Sequence, residues 1–161
     1  QKVTVYDQRR EAAKKYQKEM EEKYKVPVMV CDSVEEAVKG AEIICTVTPS
    51  KEPYLKAEWI APGAHINAVG AFTPNTREIE SRLMAKAKLY ADQVEAMKKE
   101  CGEYLIPKDE GLFGEEHITG SIGGILAGKV PGRENDTEIT LFDALGLAVE
   151  DVACGRFLCR E

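Results

Sequence analysis

The sequence predicts a single α/β domain built on a doubly wound, mostly parallel sheet and closed by C-terminal helices. Two observations carry this expectation. Short apolar runs of strand length alternate along the 161 residues with segments of helical periodicity, an order that calls for parallel pairing through right-handed crossovers. Two of those runs, Ala41 to Val47 and Ala64 to Val69, also empty into small, polar and turn-forming residues, Thr48-Pro49-Ser50 and Gly70-Ala71-Phe72-Thr73-Pro74-Asn75. In an open α/β sheet ligands bind outside the carboxyl ends of the strands. Neighbouring ends of this kind therefore mark either a ligand crevice or ordinary turns punctuated by Gly and Pro.

In chain order, Lys2 to Asp7 reads as a strand already under way where the sequence begins, as expected of a fragment. A charged helix follows from Gln8 to about Tyr24, with Ala12, Ala13, Tyr16 and Met20 on one stripe and lysines and glutamates on a solvated face. Val26 to Val30 is a short strand. Asp32 or Ser33 caps a helix from Val34 to Lys39, where Glu35 and Glu36 suit the positive N-terminal end and Gly40 stops the helix. The strand Ala41 to Val47 leads into a loop holding Pro49, Pro53 and Trp59, the last an anchor beneath that loop, and the strand Ala64 to Val69 comes next. Thr76 is expected to cap a helix from Arg77 to about Lys86, and Lys88 to Ala91 to form a fifth strand. Gln93 to Glu103 reads as a helix ended by Gly102, Pro107 to Gly114 as a Gly-rich acidic loop, Ser121 to Gly128 as a short helix, and Thr140 to Arg160 as a helix with Leu141, Leu145, Ala148, Val152 and Leu158 on a broad apolar stripe.

Composition narrows the function classes. An apolar fraction of 43% and a charged fraction of 31% are those of a globular protein, and no apolar run approaches the length of a membrane span. The net charge of −6 argues against a nucleic-acid partner, which wants a basic face. The start of the chain lacks the order of a signal peptide, so the expected compartment is the cytoplasm. Five cysteines without a Cys-x-x-Cys pair, beside only two histidines, fit neither a zinc site nor a disulfide framework. Cys45, Cys154 and Cys159 are expected to be buried or half-buried reduced thiols.

Single residues leave alternatives. Asp7 ends a strand and precedes a helix; in dinucleotide-binding sheets an acid there accepts hydrogen bonds from the adenosine ribose and repels the extra phosphate of NADP, while the plainer reading is a helix N-cap. His65 within its strand reads as a hydrogen-bonded core residue, and His117 as a loop histidine with no nucleophile beside it. Gly120-Ser121-Ile122-Gly123-Gly124 resembles a phosphate loop only superficially, having neither a preceding strand nor a Gly-Lys-Ser/Thr ending.

Taken together, Val5-Tyr6-Asp7, Ser33-Val34-Glu35-Glu36-Ala37-Val38, Thr46-Val47-Thr48-Pro49-Ser50, Pro62 to Ala71, Arg77-Glu78-Ile79, Gly128-Lys129-Val130-Pro131-Gly132-Arg133 and Thr140 to Asp151 resemble the ornithine cyclodeaminase and mu-crystallin family, in its order and spacing, over essentially the whole chain. The resemblance implies a Rossmann-like dinucleotide-binding domain, residues 1–161, of a longer homodimeric protein. The substrate domain and the first Gly-rich turn would lie outside it. It places Asp7 on the ribose, Thr48 beside the dinucleotide and the backbone of Ile66, Asn67, Ala68, Val69 and Gly70 along the nicotinamide, with Gln8, Arg9, Thr46 and Pro49 adjoining. It implies NAD in preference to NADP, an amino acid or imine as substrate, hydride transfer at its α-carbon, and no metal. One departure stands out: Phe72 occupies the place of the aspartate that serves as acid or base in the cyclodeaminases, and a phenyl ring moves no proton. The catalytic residues are therefore unassigned, and a noncatalytic nucleotide-binding protein is the alternative.

Overall fold

The computed structural model describes residues 2–159. Seven strands and seven α-helices follow in chain order: β1 (Val3–Val5), α1 (Arg10–Tyr24), β2 (Val28–Val30), α2 (Val34–Val38), β3 (Ile43–Thr46), β4 (His65–Ala68), α3 (Ser81–Lys86), β5 (Lys88–Ala91), α4 (Val94–Glu100), α5 (Gly102–Asp109), β6 (Ile118–Ser121), α6 (Ile122–Leu126), β7 (Thr140–Asp143) and α7 (Ala148–Leu158). Every strand pairing is parallel, as the alternation of elements predicts. The strands form two sheets: β1 with β2, and a five-stranded sheet in the order β3-β4-β7-β5-β6. Among the described residues, β1 and β3 each have one paired edge and one open edge.

One face of the larger sheet carries the core. Ile44, Ile66, Ala68, Leu89, Ala91 and Leu141 pack there with Leu83, Met84, Met97 and Tyr104 from the helices that follow β4 and β5. The alternation of side chains along each strand puts Ile43, Cys45, His65, Asn67 and Phe142 on the opposite face. That face is open at β3, where Ile43 is 68% exposed.

Local chemistry sets the early elements. Ser33 caps α2 by accepting the Glu36 amide at 3.1 Å, and Lys25 (φ 56°) and Gly40 (φ 73°) turn the chain after α1 and α2. Trp59 lies in a 3-10 turn, Ala57–Trp59, and packs partly buried against the core beneath the loop.

The later half departs from the sequence expectation at several places. Thr140 to Asp143 is a strand at the centre of the sheet, with Leu141 opposite both Ile66 of β4 and Leu89 of β5. Two-sided pairing and full burial of Leu141 outweigh the helical spacing, and Gly146 (φ 87°) separates the strand from α7. The expected end of the helix at Arg160 lies outside the described residues. Leu141 and Val152 do not share a buried stripe, for none of Ala148–Leu158 is buried. Thr76 caps no helix. Its hydroxyl turns back to the Thr73 carbonyl at 3.1 Å, residues 77–80 stay extended, and Ile79 bridges to Leu55. Gly102 does not end a helix but opens α5, because a Cβ there would stand 2.3 Å from the Thr76 carbonyl oxygen. Pro107 to Asp109, expected in a loop, lie in that helix. Gly120 and Ser121 themselves close a strand, β6, and Ser121 caps the α6 that follows by accepting the Gly124 amide.

Cysteine burial splits the same way. Cys31 and Cys101 are buried, whereas Cys45, Cys154 and Cys159 are exposed: Cys45 points to the open sheet face and the other two ride on the unburied α7. No helix among the described residues is long and apolar enough to cross a membrane.

Candidate functional site

The structure lays the candidate residues along the carboxyl ends of β1, β3 and β4. Thr46 closes β3 opposite Ala68 of β4, and the Val69 amide donates to the Thr46 carbonyl at 3.0 Å, so the two chain exits leave the sheet side by side. Strand alternation then sorts the side chains. Thr46, Ile66 and Ala68 face the core, Asn67 faces the open side, and Val47 and Val69 stand exposed beyond the strand ends. Thr48, Pro49 and Gly70 follow on the two loops. The Thr46 hydroxyl is buried on the core face without a partner among the described residues.

Asp7, Gln8 and Arg9 lie at the end of β1, in the smaller sheet. Asp7 Oδ1 accepts the Arg9 amide at 2.7 Å, and Arg9, not Asp7, is the N-cap residue of α1. The acid thus shapes the strand-to-helix turn, and its Oδ2 takes no hydrogen bond from the described residues. Arg10 pairs with Asp32, tying the ends of β1 and β2 together.

The best-connected group at this edge is one that the motif reading passed over. Glu78, from the extended stretch before α3, is fully buried and accepts from the Thr48 amide (2.6 Å), the Thr48 hydroxyl (2.7 Å), the Tyr54 hydroxyl (2.7 Å) and the Gly70 amide (3.1 Å). Thr48 therefore directs its hydroxyl and amide toward Glu78. Behind it, Glu103 of α5 accepts from the Glu78 and Ile79 amides. Burial pushes the Glu103 carboxyl from its ordinary 4.5 up to about 8, against those two amides, which act the other way. Asp143, at the end of β7, is pushed by burial from 3.8 to about 7; its Oδ2 accepts from the Cys101 thiol at 3.2 Å and its Oδ1 has no partner. Asp92, ending β5, accepts the Gln93 and Gly146 amides. The blocks Arg77-Glu78-Ile79 and Thr140 to Asp151 contain two of these acids, but the sequence gives Glu78 and Asp143 no role because their spacing suits helices, where an acid reads as solvated. The signal was the extended, half-apolar setting of each, Arg77-Glu78-Ile79 and Leu141-Phe142-Asp143.

The remaining candidates fall away from the strand ends. His65 is half-buried on the open face, hydrogen-bonded to Thr140 (2.8 Å) and Asn67 (3.3 Å), and Arg133 reaches the same Thr140 at 2.9 Å. A shallow cleft of about 370 Å³ lies over that row, with Tyr90, Ile125 and Phe142 in its walls. His117 stacks on Phe113 and bonds the Met84 carbonyl at 2.8 Å, a packing role. Among the described residues no group of His, Cys, Asp and Glu has the arrangement of a metal site. Phe72, in the loop after β4, is 62% exposed and brings no proton to the crevice.

Known proteins share this sequence and shape. The sequence model of the ornithine cyclodeaminase/mu-crystallin family matches residues 1–160. The ketimine reductase mu-crystallin of Mus musculus is 40% identical over 156 residues, 97% of this chain and 46% of its own. Among solved structures, the Δ1-pyrroline-2-carboxylate reductase of Thermococcus litoralis, in complex with NADH and L-proline, superposes with a TM-score of 0.94 at 38% identity over 97% of this chain and 48% of that one. An archaeal alanine dehydrogenase dimer with bound NAD gives 0.89 at 39% identity, covering 96% of this chain and 47% of that one. The chain spans about half the length of the curated relatives it matches.

Proposed function

This chain belongs to the ornithine cyclodeaminase/mu-crystallin family, and on that footing we propose that it is the dinucleotide-binding domain of an NAD-dependent oxidoreductase acting on an amino acid or its imine. The observation that carries the proposal is the joined exit of β3 and β4, where Gly70 sits against Thr48 in a space that admits no Cβ. Backbone and small residues at neighbouring parallel strand ends are what close approach of a dinucleotide requires. The fit extends to Asp7, whose Oδ2 takes no hydrogen bond from the described residues and can accept from a ribose. On this reading Asp7, Gln8 and Arg9 hold the adenosine ribose, Thr46, Thr48 and Pro49 flank the dinucleotide, and Ile66 to Gly70 line the nicotinamide side by backbone. The nicotinamide supplies the hydride chemistry when bound. The protein contributes position and the exclusion of water.

The negative charge of Asp7 favours NAD over NADP. Full-length protein is read as a cytoplasmic homodimer whose remaining portion supplies the substrate-holding groups. The open sheet face and the unburied α7, with Val149, Val152 and Phe157 exposed, are the surfaces such an assembly would cover. One experiment tests the core of the proposal: full-length protein titrated with NADH by fluorescence, then assayed with alanine, ornithine and cyclic imines. NADH binding with turnover of one of these is expected, and absence of NADH binding would refute it. Phe72 favours a second reading, a noncatalytic NAD(P)H and small-ligand binding protein. Tight NADH binding with no turnover of any of the three substrate types would select it.

A further inference from the structure

Glu78 is 0% exposed, and none of the ion pairs among the described residues includes it. A carboxylate so placed has lost its hydration and is tolerated only where donors surround it. The donors that do so come from two places. Thr48 and Tyr54 belong to the segment that follows β3, and Gly70 follows β4. One side chain therefore spans the two exits, one oxygen for each. The contact is tight: a Cβ on Gly70 would stand 2.6 Å from Glu78 Cδ and 2.3 Å from the Thr48 carbonyl oxygen. Glu78 is fixed from behind as well, since its own amide and that of Ile79 are held by the Glu103 carboxyl of α5.

We propose that Glu78 is a positioning residue of the nucleotide site, a clamp that sets the spacing of the β3 and β4 loops before the dinucleotide arrives. The proposal rests on the dinucleotide reading given above. Its chemical logic is that two backbone amides at the strand ends, Thr48 and Gly70, are satisfied by Glu78 and so are withdrawn from ligand binding. The ligand then meets what the clamped loops leave outward, including the exposed side chains of Val47 and Val69. Preorganised loops cost less to order on binding, which is where affinity is gained. A carboxylate kept only for stability would leave the affinity of the folded protein untouched when altered.

The test uses full-length protein carrying Glu78→Gln, with Tyr54→Phe as a milder variant that removes one donor and keeps the acid. Leu83→Ala, in the core and giving no hydrogen bond to Glu78, is the control for destabilisation. NADH affinity is measured by fluorescence titration well below each variant's melting temperature. Glu78→Gln puts an amide group where only acceptors fit, and weakening of NADH binding by roughly ten- to a hundredfold is expected, with a few-fold for Tyr54→Phe. Leu83→Ala should lower the melting temperature and leave NADH affinity where it was. Wild-type protein that binds NADH alongside folded Glu78→Gln and Tyr54→Phe proteins that bind it equally well would overturn the clamp alone; should Glu78→Gln not fold, unchanged affinity in Tyr54→Phe does so. Wild-type protein that binds no NADH would overturn the dinucleotide reading and the clamp with it.

Discussion

Asp143 offers a sharp perturbation of the buried acids at the strand ends. Its carboxyl is 1% exposed, one oxygen takes the Cys101 thiol and the other has no partner. Burial above all, with Asp92 and Glu78 adding repulsion, moves its pKa from 3.8 to about 7, while the Cys101 hydrogen bond acts against the shift. The folded state thus holds this proton more tightly than the unfolded chain does. The contribution to stability is fully present below the unfolded value of 3.8 and is lost as pH rises through about 7. A shift of about three units corresponds to at most about 4 kcal/mol, at 1.36 kcal/mol per unit. Asp143→Asn keeps the shape and an acceptor for Cys101, and it carries no charge at any of these pH values. Urea unfolding of full-length wild-type and variant proteins at several points between about pH 4 and about pH 8 should show the variant gaining on the wild type with rising pH, by up to that amount. Glu103, raised to about 8 by burial first and in part by the Asp143 charge, gives both proteins a slope of the same sign, and the variant, lacking that charge, has the shallower one, which adds to the difference in the same direction. Two curves that run parallel across this window would refute the assignment of a buried, proton-holding Asp143.

Asp7→Ser removes the acid offered to the ribose, and the preference of full-length protein for NAD over NADP should narrow by about tenfold, read from the ratio of the two dissociation constants. An unchanged ratio would leave Asp7 only its turn with Arg9. Gly70→Ala forces a Cβ into the Thr48 backbone, so chemical denaturation should show a loss of about 1–3 kcal/mol, and NADH titration a weaker complex. Leu141→Ala opens a hole at the centre of the sheet, and the same denaturation assay should register about 2–5 kcal/mol; a cost below about 1 kcal/mol would mean that the residue is not packed as a central strand requires.

The first half of the fold was legible because its signals are local. Ser33 before Val34, Gly40 after a short helix, and apolar runs ending in Thr48-Pro49 or Gly70-Ala71 each report a cap, a stop or a strand end from adjacent residues. The second half is decided by partners far away in sequence. Thr140 to Asp143 carries apolar spacing that suits a helix, and only the flanking strands β4 and β5 make it β. Glu78 and Ile79 look like the first turn of a helix until Glu103 takes their amides, and Gly102 looks like a helix stop until the Thr73 and Thr76 carbonyls close around it. At the site the strand ends could be read from composition. The carboxylate that joins them is marked only by its half-apolar setting, Arg77-Glu78-Ile79, because its role is set by donors from Thr48, Tyr54 and Gly70 elsewhere in the sequence.

The division of the strands into two sheets bears directly on that site. Asp7 belongs to the β1–β2 pair, whereas Thr48 and Gly70 belong to the five-stranded sheet, and no ladder joins the pair to the sheet among the described residues. The total accessible surface, 10177 Å² for 161 residues, exceeds the roughly 8000 Å² of a typical folded monomer of this size. Large apolar side chains stand exposed, among them Ile43 on the open face and Val149, Val152, Phe157 and Leu158 on α7. Unpaired strand edges beside apolar surface are an aggregation hazard when left bare. Any contact that covers them would also set how far Asp7 stands from Thr48 and Gly70. A dinucleotide held at both places would stabilise whatever arrangement brings them to its own length, so nucleotide affinity and the closure of these surfaces are linked quantities. Within the larger sheet that linkage stops at Glu78, which sets the β3 and β4 loops against each other through contacts made entirely inside the described residues.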